Sequence, residues 1–140
     1  MLVNFDAPSR DECAADRTES NSPQQALTLL NDPSFVEAAR AMAIRVQTSS
    51  TDDTFEAILD QGFLLALGRS ASEAEQEGLQ KVFADQMAHY RSQPNEARQL
   101  NKTGNMKTSA KKTEEDQAQL AAWTQVCRVI LNLHETITRY

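Results

Sequence analysis

Long apolar runs are missing from this chain of 140 residues. No stretch approaches the ~18 consecutive apolar residues of a transmembrane helix, so the sequence predicts no membrane span. The first residues, MLVNFDAPSRDEC, contain neither the basic region nor the apolar region of a secretory signal peptide. Read alone, the chain is therefore predicted to be cytoplasmic. That interpretation fails if Met1 is an internal residue of a longer protein.

Cysteine is also scarce, and its two copies, Cys13 and Cys127, lie far apart in the sequence. They form neither a CxxC nor a CxxCH pattern, which excludes a zinc knuckle and a covalently attached haem. Two interpretations stay open for the pair. A disulfide between them would close a long loop and stabilise the fold by about 4 kcal/mol. Alternatively, Cys127 is a small buried hydrophobic residue, because it falls on an apolar helical stripe.

Basic residues are outnumbered, with 14 Lys and Arg against 20 Asp and Glu, a net charge of −6 and a pI near 4.9. A protein that binds nucleic acid needs a basic face toward the phosphates, so no nucleic acid partner is predicted. The basic run of Lys107, Lys111 and Lys112 could be a patch for a binding partner, but the absence of interleaved aromatic residues argues against this interpretation. Length and composition fit a single domain.

Familiar catalytic and metal-binding motifs are absent from the sequence. It has no glycine-rich phosphate loop, no Ser-His-Asp order and no EF-hand loop. The only histidines, His89 and His134, fall on different predicted helices, so a metal site could arise from them only through tertiary packing. We therefore predict no metal ion, no cofactor and no catalytic residue. His134 is expected at the edge of an apolar stripe, with one ring nitrogen in a hydrogen bond.

A dense group of polar residues occupies the amino-terminal segment and has two interpretations. In the first, Arg10 or Arg17 pairs with an acidic residue and pins this segment to the helices. In the second, Asp11, Glu12 and Arg17 converge with His134 in a cleft and form a polar site. No helical periodicity holds these groups to one face, which favours the first interpretation.

Apolar residues recur at spacings of three and four along most of the chain, which predicts an all-α protein. The expected architecture is an irregular bundle of about five helices, residues 22–140, with an extended arm, residues 1–21, packed on it. Residues 92–116 have almost no apolar periodicity and predict a mobile insertion, with a short helix near residues 94–100. The five helices are expected at residues 23–30, 33–46, 54–67, 70–90 or 72–90, and 117–138.

Local signals predict where several of these helices begin and end. Ser70 with Glu73, or Ser72 with Glu75, forms a capping box at the start of the fourth helix. Gly68 is placed to end the third helix in a left-handed conformation.

The last helix is the strongest single signal in the sequence. Its apolar stripe carries the only tryptophan, Trp123, so we expect this helix at the centre of the core, packed against the second and third helices. Gly62, inside the third helix, would be explained by a close helix crossing.

Four segments, in order, resemble the carboxy-terminal domain of unknown function of large exported planctomycete proteins: FDAPSRDEC, SPQQALTLLNDPSFVEAARAMA, FLLALGRSASEAE and AAWTQVCRVILNLHETITRY. The resemblance implies that the chain is similar to the tail of a longer protein that often carries cytochrome-c-like modules. It also implies a periplasmic or secreted location. No catalytic residues follow from it.

Together these observations favour a non-enzymatic structural or interaction module of a larger assembly. Its expected partners are the upstream domains of the parent protein or a second copy of the chain. The competing hypothesis is part of a hydrolytic or redox active site, which missing upstream domains would complete.

Overall fold

The computed structural model describes residues 31–50, 52–105 and 113–137, together with Leu27. Within these ranges the chain forms six helices and no strand, which confirms the predicted all-α fold. The arm, residues 1–21, lies outside the described residues, as does the predicted first helix apart from Leu27. The helices are α1 (Pro33–Ser49), α2 (Phe55–Leu67), α3 (Glu73–Ser92), α4 (Pro94–Leu100), α5 (Glu114–Leu131) and α6 (His134–Ile137).

Capping interactions define the corner between α2 and α3. Gly68 ends α2 with φ of 71°, a left-handed conformation that glycine adopts without strain, as predicted. Of the two capping boxes that the sequence allows, the structure uses the second. The Ser72 hydroxyl accepts from the Glu75 amide, and the Glu75 carboxylate accepts from the Ser72 amide at 2.8 Å.

Helix α5 is the centre of the core, as the sequence predicts. It packs along α1 and α3 and is also contacted by α2 and α4. Its Trp123 is 2% exposed and stacks on Phe55 of α2, with ring centroids 5.2 Å apart. Phe83 of α3 completes the aromatic cluster at 4.8 Å from the Trp123 ring. The prediction named α1 and α2 as the neighbours of α5, whereas in the structure α3 packs along more of α5 than α2 does.

Gly62 of α2 lies where α2 approaches α1 and α5, which confirms the predicted close crossing. A Cβ at this position would lie 3.3 Å from Cδ1 of Ile130 and 3.6 Å from Cε of Met42. A side chain longer than one methyl group therefore has no room at this crossing. Gly78 of α3 offers the contrast, since a Cβ there would have no neighbour within 4 Å.

Gly62→Leu is expected to lower the free energy of unfolding by about 1–3 kcal/mol, because it overpacks the crossing. Gly78→Leu is its matched control and should be neutral or stabilising, since leucine is the better helix former at an open position. Urea unfolding followed by circular dichroism measures both variants. Equal effects at the two positions would contradict the close crossing.

The segment predicted as a mobile insertion, residues 92–116, is described at residues 92–105 and 113–116, and its mobility stays a prediction. The short helix expected near residues 94–100 is confirmed as α4, and it is packed on the bundle, since Ala97 is 0% exposed and Asn101 is 1% exposed. The last predicted helix also begins earlier, at Glu114. The acidic run there lies in the first turn of α5, where the helix dipole favours it, and Thr113 and Asp116 form a capping box.

The same predicted helix, residues 117–138, is not continuous. Helix α5 ends at Leu131, and α6 starts after a turn at residues 132–133. The Thr136 hydroxyl donates to the Ile130 carbonyl at 2.7 Å, which occupies an acceptor that a continuing helix would use. Asn132 at the break is a poor helix former, because its side chain competes for backbone hydrogen bonds.

Candidate functional site

The polar site predicted from the sequence is described only in part. Asp11, Glu12 and Arg17 lie outside the described residues, so their convergence with His134 stays a prediction. His134 is exposed and is the first residue of α6. Its neighbour Glu135 belongs to an ion cluster that joins α6 to the corner between α2 and α3.

This ion cluster is organised by Arg69 and is called the Arg69 cluster below. The guanidinium binds both oxygens of Glu75, with Nη2 to Oε1 at 2.9 Å and Nη1 to Oε2 at 3.0 Å. It also binds Glu135, with Nη2 to Oε2 at 2.7 Å. The Ser70 carbonyl accepts from Nη1 at 3.0 Å, and Cζ lies 5.2 Å from the centre of the Phe63 ring. The side chain of Arg69 therefore connects the end of α2, the start of α3 and α6.

Electrostatics keep both carboxylates of the Arg69 cluster ionised. Hydrogen bonds from Arg69 are the largest cause that lowers the pKa of Glu75 to about 2, with the Ser72 hydroxyl adding to the effect. The same guanidinium lowers the pKa of Glu135, and the two glutamates raise the pKa of Arg69. A carboxyl group with so low a pKa is a poor general acid at neutral pH. The cluster is thus suited to joining helices rather than to proton transfer.

Glu75→Gln is expected to lower the free energy of unfolding at neutral pH, because it removes the charge that pairs with Arg69. The loss should be only about 1 kcal/mol, since solvent screens this partly exposed cluster. The folded-state pKa of about 2 lies below the ordinary value of 4.5. The ion pair therefore stabilises the folded protein above the ordinary pKa, and this stability is lost as the pH falls through the folded-state pKa. Urea unfolding of both proteins from neutral to acid pH should show their difference shrink over that window.

Glu73→Gln is the control for this experiment, since Glu73 is exposed in the same turn of α3 and takes no part in the Arg69 cluster. A loss at Glu75 that does not change with pH, or an equal loss at both positions, would contradict the prediction.

A second polar group, called the Arg40 junction below, is buried between α1, the end of α4 and α5. The Arg40 side chain is 0% exposed, and its Nη1 donates to the Asn101 carbonyl. The side-chain Nδ2 of Asn101 donates to the Gln117 backbone carbonyl at 2.9 Å and to Gln117 Oε1 at 2.8 Å. Arg40 and Asn101 each have further interactions. A fully buried guanidinium is costly unless it is hydrogen-bonded, so this junction holds its elements in one arrangement.

The loop after α4 extends the Arg40 junction along α1. The Glu37 carboxylate accepts from the Asn105 amide at 3.0 Å. Gly104 has φ of 89°, and a Cβ there would collide with the Glu37 side chain at 2.2–2.7 Å. Only glycine lets this loop approach α1 so closely.

The burial of Arg40 was not predicted from the sequence. In α1 the structure buries Val36 and Arg40 and leaves Ala38 exposed. The available signal was spacing, since Arg40 lies four residues after Val36 on the same helix face. Arginine is usually exposed, however, so this spacing did not lead to a prediction that Arg40 is buried.

Two further ion pairs and one histidine–glutamate contact join helices on the surface. Arg98 of α4 contacts Glu114 of α5 at 2.6 Å, and Arg91 of α3 contacts Glu115 of α5. His89, the second histidine, lies 2.8 Å from Glu96 of α4. All these side chains are well exposed, so each pair contributes little to stability alone. In the described ranges, no group of three or more His, Cys, Asp or Glu side chains is arranged to hold a metal ion.

Cys127 lies in the core on α5 and is 1% exposed. Burial raises the pKa of its thiol to about 12, so the group is not a thiolate nucleophile at neutral pH. This position agrees with the interpretation as a small buried hydrophobic residue. Cys13 lies outside the described residues, so the disulfide between Cys13 and Cys127 stays a prediction.

Comparison with known families gives one match. The family model described as PSD1, Protein of unknown function (DUF1553), matches residues 1–83, which is more than half of the chain. The chain belongs to this family. Its match ends within α3, whereas α5, the centre of the core, lies beyond residue 83. The helical unit of this DUF1553 protein is therefore larger than the matched segment.

Other comparisons add no relative of known function to this DUF1553 chain. No curated protein and no solved structure matches it significantly. Among the helices described, none combines the length and apolar character needed to cross a membrane.

Proposed function

We propose that this chain is a non-enzymatic structural and interaction module that forms the tail of a larger exported planctomycete protein, linked to cytochrome-c-like modules. The resemblance of four ordered sequence segments supports this context. Membership of a family of unknown function is compatible with it. The proposed partners are the upstream domains of the parent protein.

The observation that carries the proposal is that charged side chains join helices to one another throughout the described part of the chain. The Arg69 cluster joins α2, α3 and α6, and the Arg40 junction joins α1, α4 and α5. The pairs of Arg91 and Arg98 fasten α5 to its neighbours in the same way. These groups hold helices together around α5, as expected of a module whose role depends on a fixed shape.

The amino-terminal arm, residues 1–21, is proposed to pack on this helical body and to continue toward the upstream domains. In this arrangement Arg10 or Arg17 pairs with an acidic residue. The arm then serves as the connection between the module and the rest of the parent protein, and Asp11 and Glu12 have no catalytic task.

Thermal unfolding of the 140-residue chain, followed by far-ultraviolet circular dichroism, tests the module. One cooperative transition from a highly helical state is expected. A broad, weakly cooperative melt would show that upstream segments or a second copy complete the core, and would refute an independent module.

Binding to the separately produced upstream part of the parent protein tests the interaction role. We expect a complex in size-exclusion chromatography, and its absence would contradict this role. The enzyme alternative predicts that the joined parts hydrolyse or oxidise a substrate. It also predicts that Asp11→Asn with Glu12→Gln abolishes this activity without changing the melt, a result that would overturn the non-enzymatic proposal.

A further inference from the structure

The second half of α2 carries an apolar edge that the core does not use. Leu64 is 47% exposed and Leu65 is 41% exposed, while the preceding Phe63 is completely buried. Ala66 and Leu67 pack against the core from the same turn. A helix at a protein surface normally presents polar residues to water, so two adjacent half-exposed leucines leave apolar surface that a further apolar segment could cover.

We propose that the first residues of this same chain, Leu2, Val3 and Phe5, dock on the edge formed by Leu64 and Leu65. This inference rests on the proposed packing of the arm and names the surface that receives it. The three residues are the leading apolar group of a segment that is otherwise rich in charge. Docking would remove the apolar side chains of the arm and the two leucines of α2 from water at the same time, which is favourable through the hydrophobic effect.

The length of the segment allows this docking. Asn31 lies 26 positions after Phe5, and a segment of this length reaches up to ~85 Å when extended. A domain of this size has a radius of gyration of about 14 Å. The segment can therefore reach α2 with ample slack, even after a helix forms within it.

The size of the apolar edge favours this occupant over a second copy. A stable dimer buries about 800 Å² on each partner, far more than two half-exposed leucines provide. Three apolar side chains on a tethered segment need no such area, because the tether gives them a high effective concentration.

Disulfide trapping tests the docking in the full-length chain. The variant carries Phe5→Cys and Leu65→Cys with Cys13→Ser, while the buried Cys127 stays in place. Its control pairs Phe5→Cys with Ala84→Cys, an exposed position on α3. In dilute solution with a mild oxidant, we expect the Leu65 pair to form an intramolecular disulfide about tenfold faster than the Ala84 pair, owing to its higher effective concentration.

Two results would overturn the proposal. Equal rates for the two pairs would show that the segment does not prefer α2. A covalent dimer through Leu65→Cys would show that a second copy occupies the edge. Thermal unfolding of the reduced variants is recorded in parallel. A cooperative melt together with equal rates refutes the docking alone, whereas a non-cooperative melt refutes the proposed module.

Discussion

Arg40→Ala is expected to lower the free energy of unfolding by about 3–5 kcal/mol, the largest effect of any single charged residue described. The substitution empties the volume of a fully buried side chain and leaves the Asn101 carbonyl without its donor. It also loosens the end of α4, which Asn101 holds against α5 through Gln117. Urea unfolding followed by circular dichroism measures the loss.

Two variants separate the causes of this effect. Arg40→Met keeps much of the volume and removes the charge, so it should restore part of the stability. Arg45→Ala is the matched control, since Arg45 is exposed on the same helix, and its effect should stay within about 0.5 kcal/mol. A loss below about 1 kcal/mol for Arg40→Ala would contradict the Arg40 junction as a structural centre.

Trp123→Ala is expected to cost about 3–5 kcal/mol, because it removes the largest side chain from the centre of the core. The rings of Phe55 and Phe83, at 5.2 and 4.8 Å, would lose their common partner. For a domain of this size the melting temperature should fall by about 10 °C or more. Thermal unfolding followed by far-ultraviolet circular dichroism measures the change.

Conservative changes on α5 provide the comparison. Trp123→Phe keeps an aromatic ring in the cluster and should lose less stability than the alanine variant. Val129→Ala shortens an exposed side chain on the same helix and should change stability by less than about 0.5 kcal/mol. Similar melting temperatures for Trp123→Ala and Val129→Ala would show that Trp123 is not central to the core.

Features set by neighbouring residues in the sequence could be predicted. The left-handed end of α2 at Gly68 follows from the freedom of glycine, and the capping box of Ser72 and Glu75 follows from a spacing of three. The central place of Trp123 follows from a helical stripe that extends over several turns. Each of these signals lies within one helix or at its end.

Features set by distant residues could not be predicted in this way. The Arg69 cluster depends on Glu135, which approaches Arg69 only because α5 ends and α6 turns back toward α2. The burial of Arg40 depends on Asn101, whose position follows from the packing of α4. The early start of α5 was missed because acidic residues suggest a solvated segment until their helix is known to begin there.

The order of the helices along the chain has a consequence for biosynthesis. Helices α1 and α3 bury their apolar faces largely against α5, which begins only at Glu114. During translation these faces stay exposed for several seconds, until residues 114–131 have left the ribosome. A nascent chain that stops short of α5 offers chaperones and proteases the surface they recognise. The core is therefore complete only after α5, its central helix, has been synthesised.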